Sequence, residues 1–168
     1  MTNEELQTLI DKSIHARKNG IYDEADTLAT EVLAELDKPT NSSERSISSE
    51  LLRGNALLCL ADTAWRRGKY DIALEHGHQV LALAEEYTLP ALHPRAHNLI
   101  GIVYKNLGNY DKSLEHSFQA LSAHEALGEK SAVARVTCNI GIVYSNIGNY
   151  AKSLEYYFQA LSAYEALG

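Results

Sequence analysis

GIVYKNLGNYDKSLEHSFQALSAHEALG, from Gly101 to Gly128, returns as GIVYSNIGNYAKSLEYYFQALSAYEALG, from Gly141 to Gly168. The offset is 40 residues, and six aligned positions differ: Lys105/Ser145, Leu107/Ile147, Asp111/Ala151, His116/Tyr156, Ser117/Tyr157 and His124/Tyr164. A period of this size marks an array of stacked supersecondary units, because one short unit cannot bury its apolar face alone. The core should therefore be elongated, with each unit leaning on the next.

Outward from this pair, the step Gly-x-Tyr carries the rhythm. It stands at Gly20-Ile21-Tyr22, Gly68-Lys69-Tyr70, Gly108-Asn109-Tyr110 and Gly148-Asn149-Tyr150, at spacings of 48, 40 and 40 residues. The longer first spacing contains Lys38-Pro39-Thr40-Asn41-Ser42-Ser43. Proline cannot donate a helix hydrogen bond and the Ser/Asn cluster competes for backbone groups, so a loop is predicted there. Elsewhere apolar residues recur every three or four positions, which predicts helices over 4–18, 23–36, 47–67, 70–87, 92 or 94 to 107, 110–127, 130–147 and 150–167. These pair into four hairpins, about 4–37, 47–88, 91–128 and 130–168, read as a single domain over 1–168.

Composition bounds the function. A formal charge of −7 argues against general nucleic-acid binding, which needs clustered Lys and Arg to displace counterions from phosphates. No apolar run approaches the roughly 18 residues that cross a bilayer, and the acidic start MTNEELQTLIDKS lacks the basic and apolar regions of a secretory signal. Cytoplasmic placement is the resulting expectation. Asn41-Ser42-Ser43 fits a glycosylation pattern that this placement sets aside. Cys59 and Cys138 are isolated and form no disulfide framework, so both are expected as buried free thiols.

The residues Ile100-Gly101-x2-Tyr104 and Ile140-Gly141-x2-Tyr144, followed by the Gly-x-Tyr turn and by Ala120 or Ala160, resemble the tetratricopeptide repeat. His97 and Thr137 stand at its Trp position, Ser113 and Ser153 at its alanine, Ser117 and Tyr157 at its aromatic. The 40-residue period resembles the longer-helix variety of kinesin light chains, polarity adaptors and bacterial signalling regulators. The resemblance implies an all-α, right-handed α-solenoid of four hairpins and a scaffold that binds protein or peptide, as the sensory or docking segment of a larger signalling protein.

Physical reasons stand beside the motif. Gly101 and Gly141 fall mid-helix, where glycine costs about 1 kcal/mol against alanine, so close approach of a partner helix is expected to compensate. Ala120 and Ala160 are small for the same reason, and Tyr110 and Tyr150 are expected to cover the turns. The last helix repeats internal apolar positions at Leu154, Phe158, Leu161 and Tyr164. Terminal repeats usually turn a polar face outward, so further repeats, another domain or a second copy is expected to cover it, and we read the chain as a piece of a longer protein.

Catalysis and metal binding find little support. His76 and His78 project to different sides of a helix, and His93 with His97 form an i, i+4 pair without a third ligand. His116 and His124 give way to tyrosine in the sister repeat and read as exposed or packing positions. No phosphate-cradling glycine loop or nucleophile motif is present, so no enzyme activity, cofactor or metal is expected.

In tetratricopeptide arrays the first helix of each hairpin lines the concave wall, and the resemblance places one face of each such helix toward a ligand. Here those faces carry Arg17 and Lys18; Trp65 and Arg66; Arg95, Asn98, Lys105 and Asn106; then Arg135, Asn139 and Asn146. Six cations against one acid, Asp62, predict a groove for an acidic or carboxylate-bearing peptide: arginine grips carboxylates in paired hydrogen bonds and asparagine holds backbone. Two readings stand against it. A solvated helix face needs no ligand, and a self-assembly module would stack chains through exposed end helices. With Trp65 the one inward aromatic, RNA binding is a distant third.

Overall fold

A computed structural model describes residues 1–38 and 46–168. Among the described residues the chain is all α-helix: α1 Asn3–Lys18, α2 Tyr22–Leu36, α3 Ile47–Arg66, α4 Tyr70–Glu86, α5 His93–Asn106, α6 Tyr110–Ala126, α7 Lys130–Ile147 and α8 Tyr150–Glu165. Every predicted helix is present, with ends within two residues of expectation. Of the predicted loop, Pro39 to Ser43 and the glycosylation pattern within it lie outside the described residues. The helices form two compact units, Met1–Leu92 and His93–Gly168.

In the first unit α1 pairs with α2 and α3 with α4, while α3 also packs on α1 and α2. Leu6 and Ile10 of α1, Ala29 and Val32 of α2, and Leu52, Ala56 and Cys59 of α3 make its core. Helix α1 starts on a capping box: Thr2 accepts from the Glu5 amide at 3.2 Å, and the Glu5 carboxylate accepts from the Thr2 amide at 2.8 Å.

The second unit repeats the plan, α5 against α6 and α7 against α8, with α7 also packed on α6. The close approach expected at Gly101 and Gly141 is present. A Cβ on Gly101 would stand 3.0 Å from Ser117 Oγ, and one on Gly141 would stand 2.8 Å from the ring of Tyr157. Ser113 at the motif's alanine position keeps its hydroxyl satisfied by donating to the Gly101 carbonyl at 2.8 Å. Ala120 and Ala160 are buried as expected.

Helices α4 and α6 end alike, in a Schellman turn. After α6, Gly128 takes a left-handed φ of 70°, and the Glu129 amide donates to the His124 carbonyl at 3.0 Å. After α4, Thr88 takes the same conformation at φ 53°, and Leu89 donates to the Ala84 carbonyl at 2.9 Å. This turn brings the residue after the left-handed position back against the helix, five residues upstream.

Two expectations need correction, and a third, which left two readings open, resolves to packing. Tyr150 is 68% exposed and covers no turn, whereas Tyr110 is half-buried and lines one depression with Ile147 of α7. A motif tyrosine is thus covered by the helix pair that follows, and no described helix follows α8. Cys59 is buried but Cys138 is only half-buried. His116 and His124 are not exposed: His116 is half-buried, with Nδ1 2.9 Å from Nδ1 of His97, and His124 is 1% exposed.

Candidate functional site

In the first unit two of the three expected binding cations, Arg17 and Arg66, are already partnered. Asp62 lies between α1 and the end of α3, so Arg17 Nη1 reaches its Oδ2 at 2.5 Å and Arg66 Nε reaches the same oxygen at 2.8 Å. The Arg66 guanidinium also covers the Trp65 ring at 4.9 Å, and its bond to Asp62 raises its pKa despite some burial. A single carboxylate thus engages both arginines, and the cations still outnumber the acid. Lys18 is exposed. Arg67, absent from the expected set, pairs with Asp23 at 2.7 Å and Asp26 at 3.0 Å on α2.

The second unit differs. Asn139 of α7 donates to Asn98 Oδ1 of α5 at 3.2 Å, a bond that consumes one pole of each amide and leaves Asn98 Nδ2 and Asn139 Oδ1 outside it. Lys105 is half-buried, and desolvation holds its ammonium below the ordinary lysine range, with Cys138 opposing in the other direction. Asn106 and Asn146 are exposed at the ends of α5 and α7.

Arg95 at the start of α5 and Arg135 in the second turn of α7 line one depression of about 610 Å³. Lys130 and Ser131 of the α7 first turn, Glu129, His124 and Tyr164 complete its wall. Backbone amides at a helix start favour anions, and Arg95, Lys130 and Arg135 add three cationic side chains to that end.

His124 and Glu129 were missed by sequence reasoning. They are the two residues that the Schellman turn brings together, and where α4 ends on the buried apolar pair Ala84 and Leu89, α6 ends on a hydrogen bond with Nδ1 2.5 Å from Glu129 Oε2. A carboxylate only accepts, so Nδ1 carries the hydrogen. Nε2 of His124 is buried without a hydrogen-bond partner among the described residues. The available signal was a glycine cap with histidine four residues before it and glutamate one after.

Among the described residues no cluster of three or more His, Cys, Asp or Glu could hold a metal, and no helix is long and apolar enough to cross a membrane.

Comparison with known proteins adds the following. Two family models described as Tetratricopeptide repeat match, one over residues 92–166 and the other over residues 54–87. No curated protein sequence matches the chain. Among solved structures it is similar to the apo form of RapI, at 18% identity and TM-score 0.82 over 99% of this chain and 58% of that one. It is similar to BtubC from P. vanneervenii at 21% and 0.77, covering 98% of this chain and 63% of that one. Aspartyl phosphate phosphatase F from Bacillus subtilis aligns at 14% and 0.83, with 99% of this chain on 42% of that one. The chain thus spans less than two thirds of these structures, and at such identities the likeness concerns the fold. With the helical hairpins, the glycine contacts and both family models in agreement, the chain belongs to the tetratricopeptide repeat family.

Proposed function

We propose that this chain is a protein-interaction scaffold whose second unit binds an acidic or carboxylate-bearing peptide. The observation that carries the reading is that Arg95 and Arg135, from two different helices, line one depression with Lys130 on a chain of net charge −7. Arginine holds a carboxylate through two parallel hydrogen bonds, while the outer poles of Asn98 and Asn139 and the exposed Asn106 and Asn146 suit peptide backbone. Arg17 and Arg66 leave the proposal, since both are already bonded to Asp62. Binding rather than turnover is the role these side chains suit.

The test is titration of a fluorescently labelled acidic peptide by anisotropy. Arg95→Ala/Arg135→Ala should weaken binding about tenfold or more, the loss of charge-assisted hydrogen bonds. Equal affinity of the variant and the parent protein removes these arginines from the site.

A second reading, self-association, is favoured by α8. Leu154 and Phe158 are 56% and 67% exposed, whereas the aligned Leu114 of α6 packs on a cluster with Val136 and Ile140 of α7. Under this reading α8 is covered by a helix of another copy. Sedimentation across a hundredfold range of concentration decides: a constant monomer mass defeats it, and concentration-dependent mass abolished by Phe158→Glu supports it.

A further inference from the structure

We infer that the association surface on α8 is self-complementary, so that two copies of the chain pair α8 against α8 about a two-fold axis and stop at two. The inference rests on the self-association reading and adds to it which surface meets which.

On α8 the residues Tyr150, Leu154, Tyr157, Leu161 and Tyr164 follow at intervals of four, three, four and three, the spacing of a seam between paired helices. None of these positions carries a charge. Tyr150, Leu154, Leu161 and Tyr164 are exposed, as is Phe158 beside them. On α6 the aligned Leu114 and Leu121 pack on Val136 and Ile140 of α7, so this face is one that a helix covers. The two hairpins are otherwise near-copies, and the direction of their differences is informative. The four that fall on the second helix, Asp111/Ala151, His116/Tyr156, Ser117/Tyr157 and His124/Tyr164, all exchange a polar or ionisable residue for an apolar or aromatic one. A face adapted to water would differ in the opposite sense.

Head-to-tail stacking would set this face on α1 of another copy. With the turn glycines Gly148 and Gly20 aligned, Val136 and Ile140 of α7 correspond to Thr8 and Lys12 of α1, both exposed. Burying the Lys12 ammonium against leucine without a partner is unfavourable. A second α8 instead brings leucines and aromatic rings to leucines and aromatic rings. Burial of Tyr150, Leu154, Phe158, Leu161 and Tyr164 removes roughly 600 Å² of each protomer from water, most of the about 800 Å² per partner in a standard stable interface. Because both copies then use the same patch, the assembly closes at the dimer. Stacking of α8 on α1 would leave a free face of each kind and keep growing.

The experiment is sedimentation of the 168-residue chain over a wide range of concentration, alone and as mixed variants. Wild type should reach twice the chain mass and go no further. Leu154→Glu/Phe158→Glu should weaken dimerisation about a hundredfold or more, with its thermal midpoint retained because both side chains are exposed. Thr8→Arg on α1 should dimerise as wild type does. Mixing these two variants decides the symmetry. In α8-to-α8 pairing the α8 variant stays monomeric in the mixture; in α8-to-α1 stacking its intact α1 meets the intact α8 of the other variant and a complex forms. A mixed complex, or a mass that grows past two chains, overturns the inference and leaves self-association standing. A monomer at every concentration overturns both.

Discussion

Nδ1 of His97 on α5 and Nδ1 of His116 on α6 stand 2.9 Å apart, so one imidazole donates and the other must offer a lone pair. Tyr104 stacks on His116 at 5.7 Å, Lys112 lies over that tyrosine at 5.0 Å, and His93 stacks beside His97 at 6.4 Å. Loss of the bond between the two imidazoles should cost about 1–2 kcal/mol, read as a lower midpoint of urea denaturation in His116→Ala. The aligned residues of the last hairpin are Thr137 and Tyr156, and Tyr156 stacks on Tyr144 at 5.4 Å, so His97→Thr/His116→Tyr should recover most of that loss. A double variant no more stable than His116→Ala defeats the account.

Thr88 holds φ 53°, a left-handed conformation that a β-branched residue adopts only under strain. Gly128, 40 residues later, occupies the same place in its turn without a Cβ. Thr88→Gly should raise stability by about 1 kcal/mol, read as a higher thermal midpoint without change in helical circular dichroism.

At Gly141 an added Cβ meets the Tyr157 ring at 2.8 and 2.9 Å and the Ser153 carbonyl at 3.3 Å. Gly141→Ala should cost about 1–3 kcal/mol through overpacking. Tyr157→Ser, which installs the residue found opposite Gly101, should relieve most of that cost in the double variant. Additive effects in a double-mutant cycle show that the ring is not what the methyl meets.

Lys105 is half-buried, and desolvation lowers its pKa. The unfolded chain then holds more protons than the folded one between the lowered value and the ordinary lysine value of about 10.4. The sign follows: Lys105 makes the fold gain stability as pH rises through that alkaline window. Lys105→Met should raise the unfolding midpoint at neutral pH and remove the alkaline gain. A lower midpoint in the variant shows instead that the ammonium has a stabilising partner.

The helices were legible because their evidence is local: apolar spacing, Gly-x-Tyr caps and a duplicated stretch that checks itself. What could not be read is what depends on which helix lies opposite. Asp62 falls between Arg17, 45 residues away, and Arg66, four away, and only packing shows that one carboxylate takes both. Arg67 reaching Asp23 and Asp26 is invisible for the same reason. The repeat aligns Arg95 with Arg135 and so makes that pair legible, whereas tyrosine at the sister position of His124 hides its contact. Its partner Glu129 lies across a turn whose geometry, more than its composition, makes the pair.

The glycine slots at 101 and 141 hold side chains as unlike as a serine hydroxymethyl and a tyrosine phenol on otherwise near-identical hairpins. A frame that accepts either occupant lets one copy keep the architecture while its twin is free to acquire new chemistry. Since each hairpin in such an array answers mainly to its neighbours, an altered ring in one leaves the rest of the row undisturbed.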